Sequence, residues 1–304
     1  MEEITIVTAY FDIKRDKIKN FERTTEDYFD YFTKWAKLKN MLVVFVENKK
    51  IKDKIIEFRS GLGLKNKTIV IIVENIKNIA PNMYSLIKNT INNDILLRYR
   101  LRPGNLESNK PLYNYIMILK AWCINYAVNN LEIKTQIAWI DFGFNHGGAV
   151  YDLKSNFNIE WSYNFGEKIT LFNLQPLDNR PIFDIILSMD TYIMGSIIIV
   201  PYFLAAEFWE LAQDCTKILA DVGLSDDDQI IWLMCNRIKS DKFVIKKVLG
   251  WHTALKEYGC NSLVLKEKPK INKIKLILKK IKYKFEVLNY LKRIYTIASE
   301  WTQQ

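Results

Sequence analysis

Gln136-Ile137-Ala138-Trp139-Ile140-Asp141-Phe142-Gly143 is an apolar run that stops abruptly at a carboxylate and a glycine. Apolar residues at consecutive positions suit a strand covered on both faces, as in the parallel sheet of an α/β protein. Such sheets bind ligands outside the carboxyl ends of their strands, so Asp141 falls where a ligand is expected. A carboxylate there is a hard oxygen donor suited to Mg²⁺ or Mn²⁺; the plainer reading is a cap for the next turn. Gly143 permits a sharp turn and a close approach of ligand to backbone.

Upstream, a helical pattern over Tyr113 to Val128, with Tyr115, Ile118, Leu119 and Trp122 on one stripe, feeds directly into this strand. Ile4 to Ala9, Met41 to Glu47 and Thr68 to Val73 read as earlier strands. Helices are expected from Thr24-Thr25 onward, over Lys49 to Arg59, and over Ser85 to Arg98 until Arg102-Pro103-Gly104-Asn105 breaks the pattern. Strand and helix in alternation are the mark of a parallel sheet. Tyr10, Phe11 and Arg15 follow the first strand on its ligand side, where a ring can stack on a base and a guanidinium can meet a phosphate.

Downstream, Asn145-His146-Gly147-Gly148 reads as a mobile loop, and Val150 to Asn173 shows no clear period. Gly195-Ser196 opens a buried strand closed by Pro201; it leaves room for something to pass close to the backbone, a bulge being the simpler account. Leu204 to Ala220 is an amphipathic helix ended by Gly223, and Asp226-Asp227-Asp228-Gln229 opens the next, where acids also suit the helix dipole. Lys242 to Leu249 reads as a strand or strand–helix junction, followed by Gly250-Trp251-His252 and Lys256.

With 304 residues, 49% of them hydrophobic and 13% aromatic, the chain is folded and has ample core. Its four cysteines are dispersed and form no Cys-x-x-Cys pair, which argues against a zinc site or disulfide framework and for a reducing compartment. The amino terminus lacks the pattern of a cleaved secretory signal, and no apolar run reaches the ~20 residues of a membrane span. The net charge of +10 is concentrated between Lys266 and Arg293, where ten lysines and one arginine face only Glu267 and Glu286. A nearly neutral body excludes the broad basic face of a nucleic-acid-binding protein. In the basic stretch Ile271, Ile274, Leu278, Ile281, Phe285, Leu288 and Leu291 form an apolar stripe, predicting one or two amphipathic helices. These either meet anionic lipid or pack the stripe on the body.

Thr5-Ile6-Val7-Thr8-Ala9-Tyr10-Phe11-Asp12-Ile13 together with Ala138-Trp139-Ile140-Asp141-Phe142-Gly143 resembles the bacterial HtrL/YibB family, which is associated with lipopolysaccharide and surface-glycan loci. The order of features is similar to that of nucleotide-sugar-dependent glycosyltransferases of the GT-A fold. The resemblance implies a GT-A-like mixed, mainly parallel sheet flanked by helices over residues 1–260, with a basic helical extension over 261–304. It implies a nucleotide-sugar donor at Thr8, Ala9, Tyr10, Phe11, Arg15, Lys120, Asp141, Phe142, Gly143, Gly195, Ser196 and Lys256. It further implies a divalent cation (Mn²⁺ or Mg²⁺) on Asp141 and His252, although Gly143 stands where GT-A enzymes carry a second acid. Asp228 and Gln229 resemble the acid–Gln pair beside the acceptor or transferred sugar, with Asp227 and Asp226 as near alternatives. The implied acceptor is a glycan or glycolipid, and the implied location is the cytoplasm, with residues 266–293 against the inner face of the inner membrane. The missing second acid also admits a non-catalytic scaffold with the same fold. Asp141-Phe142-Gly143 is a kinase motif as well, but no complete Gly-rich loop is present and no histidine precedes His146, which excludes that reading.

Overall fold

The computed structural model describes residues 3–152, 154–266 and 273–301. Its seven strands are β1 (Ile4–Tyr10), β2 (Leu42–Val46), β3 (Thr68–Ile72), β4 (Gln136–Ile140), β5 (Ile169–Asn173), β6 (Ile193–Pro201) and β7 (Phe243–Lys247). They form one sheet in the order β3-β2-β1-β4-β6-β5-β7. β6 runs antiparallel to both neighbours, and every other pairing is parallel. The helices are α1 (Thr25–Trp35), α2 (Lys49–Gly61), α3 (Pro81–Asn92), α4 (Leu106–Asn109), α5 (Pro111–Leu131), α6 (Ile182–Ser188), α7 (Ala205–Asp221), α8 (Asp228–Ile238), α9 (Ala254–Glu257) and α10 (Lys273–Trp301).

The central strands explain the consecutive apolar runs. All five residues of β4 and all nine of β6 are buried, and alternate side chains enter two separate cores. Ile137 and Trp139 join α3, α5, α7 and α8 on one face, while Ala138 and Ile140 join α1, α2 and the segment from Phe142 to Phe165 on the other. Helix α1 begins with a capping box in which Thr24 Oγ1 accepts from Asp27 N (3.1 Å) and Asp27 Oδ2 accepts from Thr24 N (2.8 Å). Arg59 of α2 is wholly buried, where burial lowers its pKa to about 10. It donates to the carbonyls of Ala36, Leu38, Asn40 and Lys67 and to Thr68 Oγ1, tying the α1–β2 turn to the start of β3.

Three sequence expectations need correction. Helix α3 starts at Pro81, not Ser85, because proline is favoured at a first helical position, and it ends at Asn92, leaving Leu97–Tyr99 as a separate 3₁₀ turn. The unassigned segment contains β5, five residues long and paired on both sides. Residues 145–148 do not form a loose loop: Asn145 is buried in the left-handed region at φ 61°, and its Oδ1 accepts from Val150 N and Tyr151 N at 2.8 and 3.2 Å.

Candidate active site

The antiparallel course of β6 builds the site. Because Ile140 pairs with Ile197, the beginning of β6 lies beside the end of β4, and Asp141 N donates to Ser196 O at 3.0 Å. Gly195 and Ser196 therefore sit next to Asp141 at the carboxyl ends of β1 and β4. A cavity of about 530 Å³ opens there, lined from β1 and its following loop (Tyr10, Phe11, Arg15), from Asp141 and Gly143, and from the start of α8 (Asp228, Gln229). Its size suits a small-molecule ligand.

Lys120, in the middle of α5 and fully buried, reaches the floor of this cavity. Its Nζ lies 2.8 Å from Asp141 Oδ1, 2.8 Å from Asp228 Oδ2 and 2.9 Å from the carbonyl of Gly195. Trp139 Nε1 donates to the same oxygen of Asp141 at 2.7 Å, and Trp232 Nε1 to the same oxygen of Asp228 at 3.2 Å. Burial alone disfavours a charged ammonium, but the Asp141 and Asp228 carboxylates outweigh it and hold the Lys120 pKa above its ordinary value. Burial raises the pKa of Asp228, and Lys120 opposes that rise. One cation thus joins two acids that are far apart in the sequence.

The three consecutive aspartates divide the work. Asp226 Oδ2 accepts from the buried Arg100 at 2.7 Å; burial raises its pKa to about 6 against the pull of Arg100. Asp227 caps α8, its Oδ1 accepting from Gln229 N at 3.1 Å, and lines a separate cavity of about 60 Å³ with Glu107 and Asp190. Only Asp228 of the three lines the large cavity, whereas Gln229 lines both. Asp228 alone of the three pairs with Lys120 in the large cavity, while Asp227 caps the helix.

Other expected residues separate in the same way. Ala9, Tyr10, Phe11, Arg15, Lys120, Asp141, Phe142, Gly143, Gly195, Ser196 and His252 all line the cavity, whereas Thr8 is buried within β1 and is not part of the lining. Lys256 lies outside as well: α9 turns its ammonium onto the carbonyls of Asn261 and Leu263, and it is not part of the lining. At Gly195 the close neighbour is the Asp228 side chain itself, since a Cβ there would stand 2.9 Å from Asp228 Cγ. Gly195→Ala is therefore expected to displace Asp228 from Lys120 and to lower the midpoint of urea denaturation relative to the wild type, while the protein stays folded by circular dichroism.

The sequence did not single out Arg23, Tyr28, Tyr113 or His146, all of which line the cavity. His146 and His252 stand with ring centroids 5.2 Å apart, and both have left-handed backbones, at φ 40° and 68°. Burial, aided by the neighbouring His146, pulls the His252 pKa down to about 4, so its imidazole is neutral at neutral pH. Its Nδ1 is buried without a hydrogen-bond partner among the described residues.

These donors do not fit a protein-held divalent cation. Among the described residues no group of three or more His, Cys, Asp or Glu side chains converges on one point. The Oδ1 of Asp141 is already held by Lys120 and Trp139. A second acid at position 143 would require the Tyr28 ring to move, because a Cβ there would meet Tyr28 Cε1 at 2.9 Å.

Two comparisons bear on this chain. Its residues 2–259 match the family model described as a bacterial protein of unknown function (HtrL_YibB). It is 32% identical over 256 residues to Protein HtrL of Escherichia coli strain K12, an alignment covering 79% of this chain and 86% of that protein. Nearly the whole chain up to α10, including every residue of the cavity described above, lies within the family match, and the chain belongs to the HtrL/YibB family.

Proposed function

We propose that this protein is a nucleotide-sugar-dependent glycosyltransferase of GT-A-like architecture. The observation that carries the reading is the Asp141–Lys120–Asp228 bridge at the carboxyl ends of β4 and β1, with Gln229 beside it in a cavity large enough for a donor. Tyr10 and Phe11 offer rings to a base, and the arginines of the same lining offer charge to phosphates. In the reaction, the bond between the anomeric carbon and the β-phosphate oxygen breaks, with its electron pair leaving on the phosphate. A bond forms from an acceptor hydroxyl to that carbon, and the hydroxyl proton passes to a carboxylate. Asp228 and the Gln229 amide are the groups nearest this chemistry, and Lys120 is the positioning residue that orients Asp228.

The acceptor in this reading is a glycan or glycolipid of the lipopolysaccharide, lipooligosaccharide or capsule type. Helix α10 supports contact with a lipid surface. Leu278, Ile281, Phe285, Leu288 and Leu291 of its stripe are all exposed, while Ile271 and the side chain of Ile274 lie outside the described residues. The helix is fastened near its end: Arg293 donates to the carbonyl of Arg100 at 2.6 Å, Glu286 pairs with Arg102 at 3.1 Å, and Ile297 is buried. An exposed apolar stripe among lysines matches an anionic bilayer. Among the described residues no helix is long and apolar enough to cross one. Removing residues 267–304 is expected to abolish sedimentation with phosphatidylglycerol vesicles and to leave donor binding intact. Retained sedimentation, or a truncated protein that unfolds, contradicts the lipid role.

A non-catalytic scaffold is the second reading, favoured by the lack of a second acid at Gly143. Thermal-shift titration against a panel of nucleotide-sugars tests ligand binding in both cases. One donor class is expected to raise the melting temperature by mass action, and Gln229→Ala is expected to alter the shift for the sugar-bearing nucleotide but not for the free nucleotide. A chain stabilised by no member of the panel contradicts the proposal.

A further inference from the structure

We propose that the donor diphosphate is held without a divalent cation, its charge being matched by the guanidinium groups of Arg15 and Arg23. The inference rests on the glycosyltransferase reading and adds the identity of the group that carries the phosphate charge. Arg15 and Arg23 line the same cavity as Asp141. Both are half-buried, yet among the described residues no carboxylate forms an ion pair with either, in contrast to Lys120 and Arg100. Arg15 donates instead to neutral oxygens, the Phe21 carbonyl at 3.0 Å and the Tyr28 hydroxyl at 2.8 Å. Arg23 lies 6.0 Å from the centre of the Tyr28 ring, with Nη1 3.4 Å from His146 Nε2. Guanidinium groups partly withdrawn from water and lacking an anion are poised for one brought by a ligand, and their fork geometry fits phosphate oxygens.

Tyr28 links this pair to the missing acid. The ring that carries Arg15 on its hydroxyl and Arg23 on its face also occupies the space a side chain at 143 would need. The residue that excludes a second carboxylate thus supplies two cations in its place. Tyr28 belongs to the first turn of α1, where the Thr24–Asp27 capping box fixes the chain on which Arg23 enters. At the same time Lys120 offsets part of the negative charge of Asp141 and Asp228, which weakens their repulsion of an incoming diphosphate. The His146 and His252 rings complete the wall and bring no negative charge to it.

The test is calorimetric titration of the full chain with UDP, GDP, ADP, CDP and dTDP, in EDTA and again in Mn²⁺. One of these is expected to bind with a Kd that differs by less than about threefold between the two conditions. Arg15→Ala and Arg23→Ala are each expected to weaken it about tenfold or more, with a steeper salt dependence in the wild type. Arg23 makes no hydrogen bond to the backbone among those described, so Arg23→Ala keeps the fold and remains informative should Arg15→Ala unfold. Binding at least tenfold tighter in Mn²⁺ overturns the inference and leaves the glycosyltransferase reading standing. Metal-independent binding unchanged in Arg23→Ala also overturns it. Failure of every nucleotide in both conditions overturns the inference together with the reading on which it rests.

Discussion

Lys120→Met is expected to cost about 3–5 kcal/mol of stability and to lower donor turnover about 100-fold or more. Methionine preserves most of the stem volume, so the loss isolates the ammonium. Without it Asp228, only 2% exposed at its side chain, is a buried acid whose one described cationic partner is gone. The remaining Trp232 bond of 3.2 Å is too little to hold an anion away from water. The carboxyl must then take up a proton or swing out, and in the proposed reaction either change removes the carboxylate that would take the acceptor's proton. Urea denaturation of Lys120→Met, Asp228→Asn and the double variant measures the coupling. The double variant is expected to be more stable than the sum of the two losses predicts, because it leaves no unpaired charge at that pair. Strict additivity would show that the bridge is not an energetic unit.

The second large effect is on acid stability, through His252. Its folded pKa of about 4 lies below the ordinary 6.5 because burial disfavours the imidazolium. The unfolded chain therefore binds this proton first as pH falls. The stabilising contribution is fully present above about pH 6.5 and is lost as pH drops toward 4, a change of about 3 kcal/mol. Asp226 acts in the opposite sense: with its pKa raised to about 6 by burial, its contribution is present below its ordinary 3.8 and lost as pH rises through 6. Comparing wild type with His252→Gln cancels the Asp226 component. The stability difference between the two is expected to shrink by about 3 kcal/mol between pH 7 and pH 4 in urea melts. Parallel profiles would mean that His252 titrates normally and is reached by water.

Much of the sheet was legible because its strands are short, consecutive apolar runs with no competing helical period. Ile4 to Ala9 and Gln136 to Ile140 are of this kind, and both are buried on two faces. β5 was not legible, since Ile169-Thr170-Leu171-Phe172-Asn173 follows a stretch of aromatics without alternation and owes its conformation to pairing with β6 and β7. The site divides along the same line. Asp141 announced itself by its place at a strand end, whereas the helix start offered Asp226, Asp227 and Asp228 as alternatives that only the pairing with Lys120 separates. Lys120 was expected at the donor but not as the bridge between the two acids; it lies in the middle of a helix, and the packing of α5 against β1 and β4 brings its ammonium between them. The function of Gly195 was half legible: something does pass close to it, but that neighbour is the Asp228 carboxylate. Arg23 and His146 sit in loops whose approach depends on the left-handed turns at Asn145 and His146, a feature with no periodic signature.

Turnover tests most directly the proposal that the cavity around the Asp141–Lys120–Asp228 bridge transfers a sugar. Release of nucleoside diphosphate from each nucleotide-sugar of a panel should be measured for the wild type and for Asp228→Asn, with vesicles bearing glycolipid acceptor. The account predicts release from one donor class, reduced about 100-fold or more in Asp228→Asn while donor affinity changes little. Donor binding with no release by the wild type, or equal release by Asp228→Asn, would contradict it.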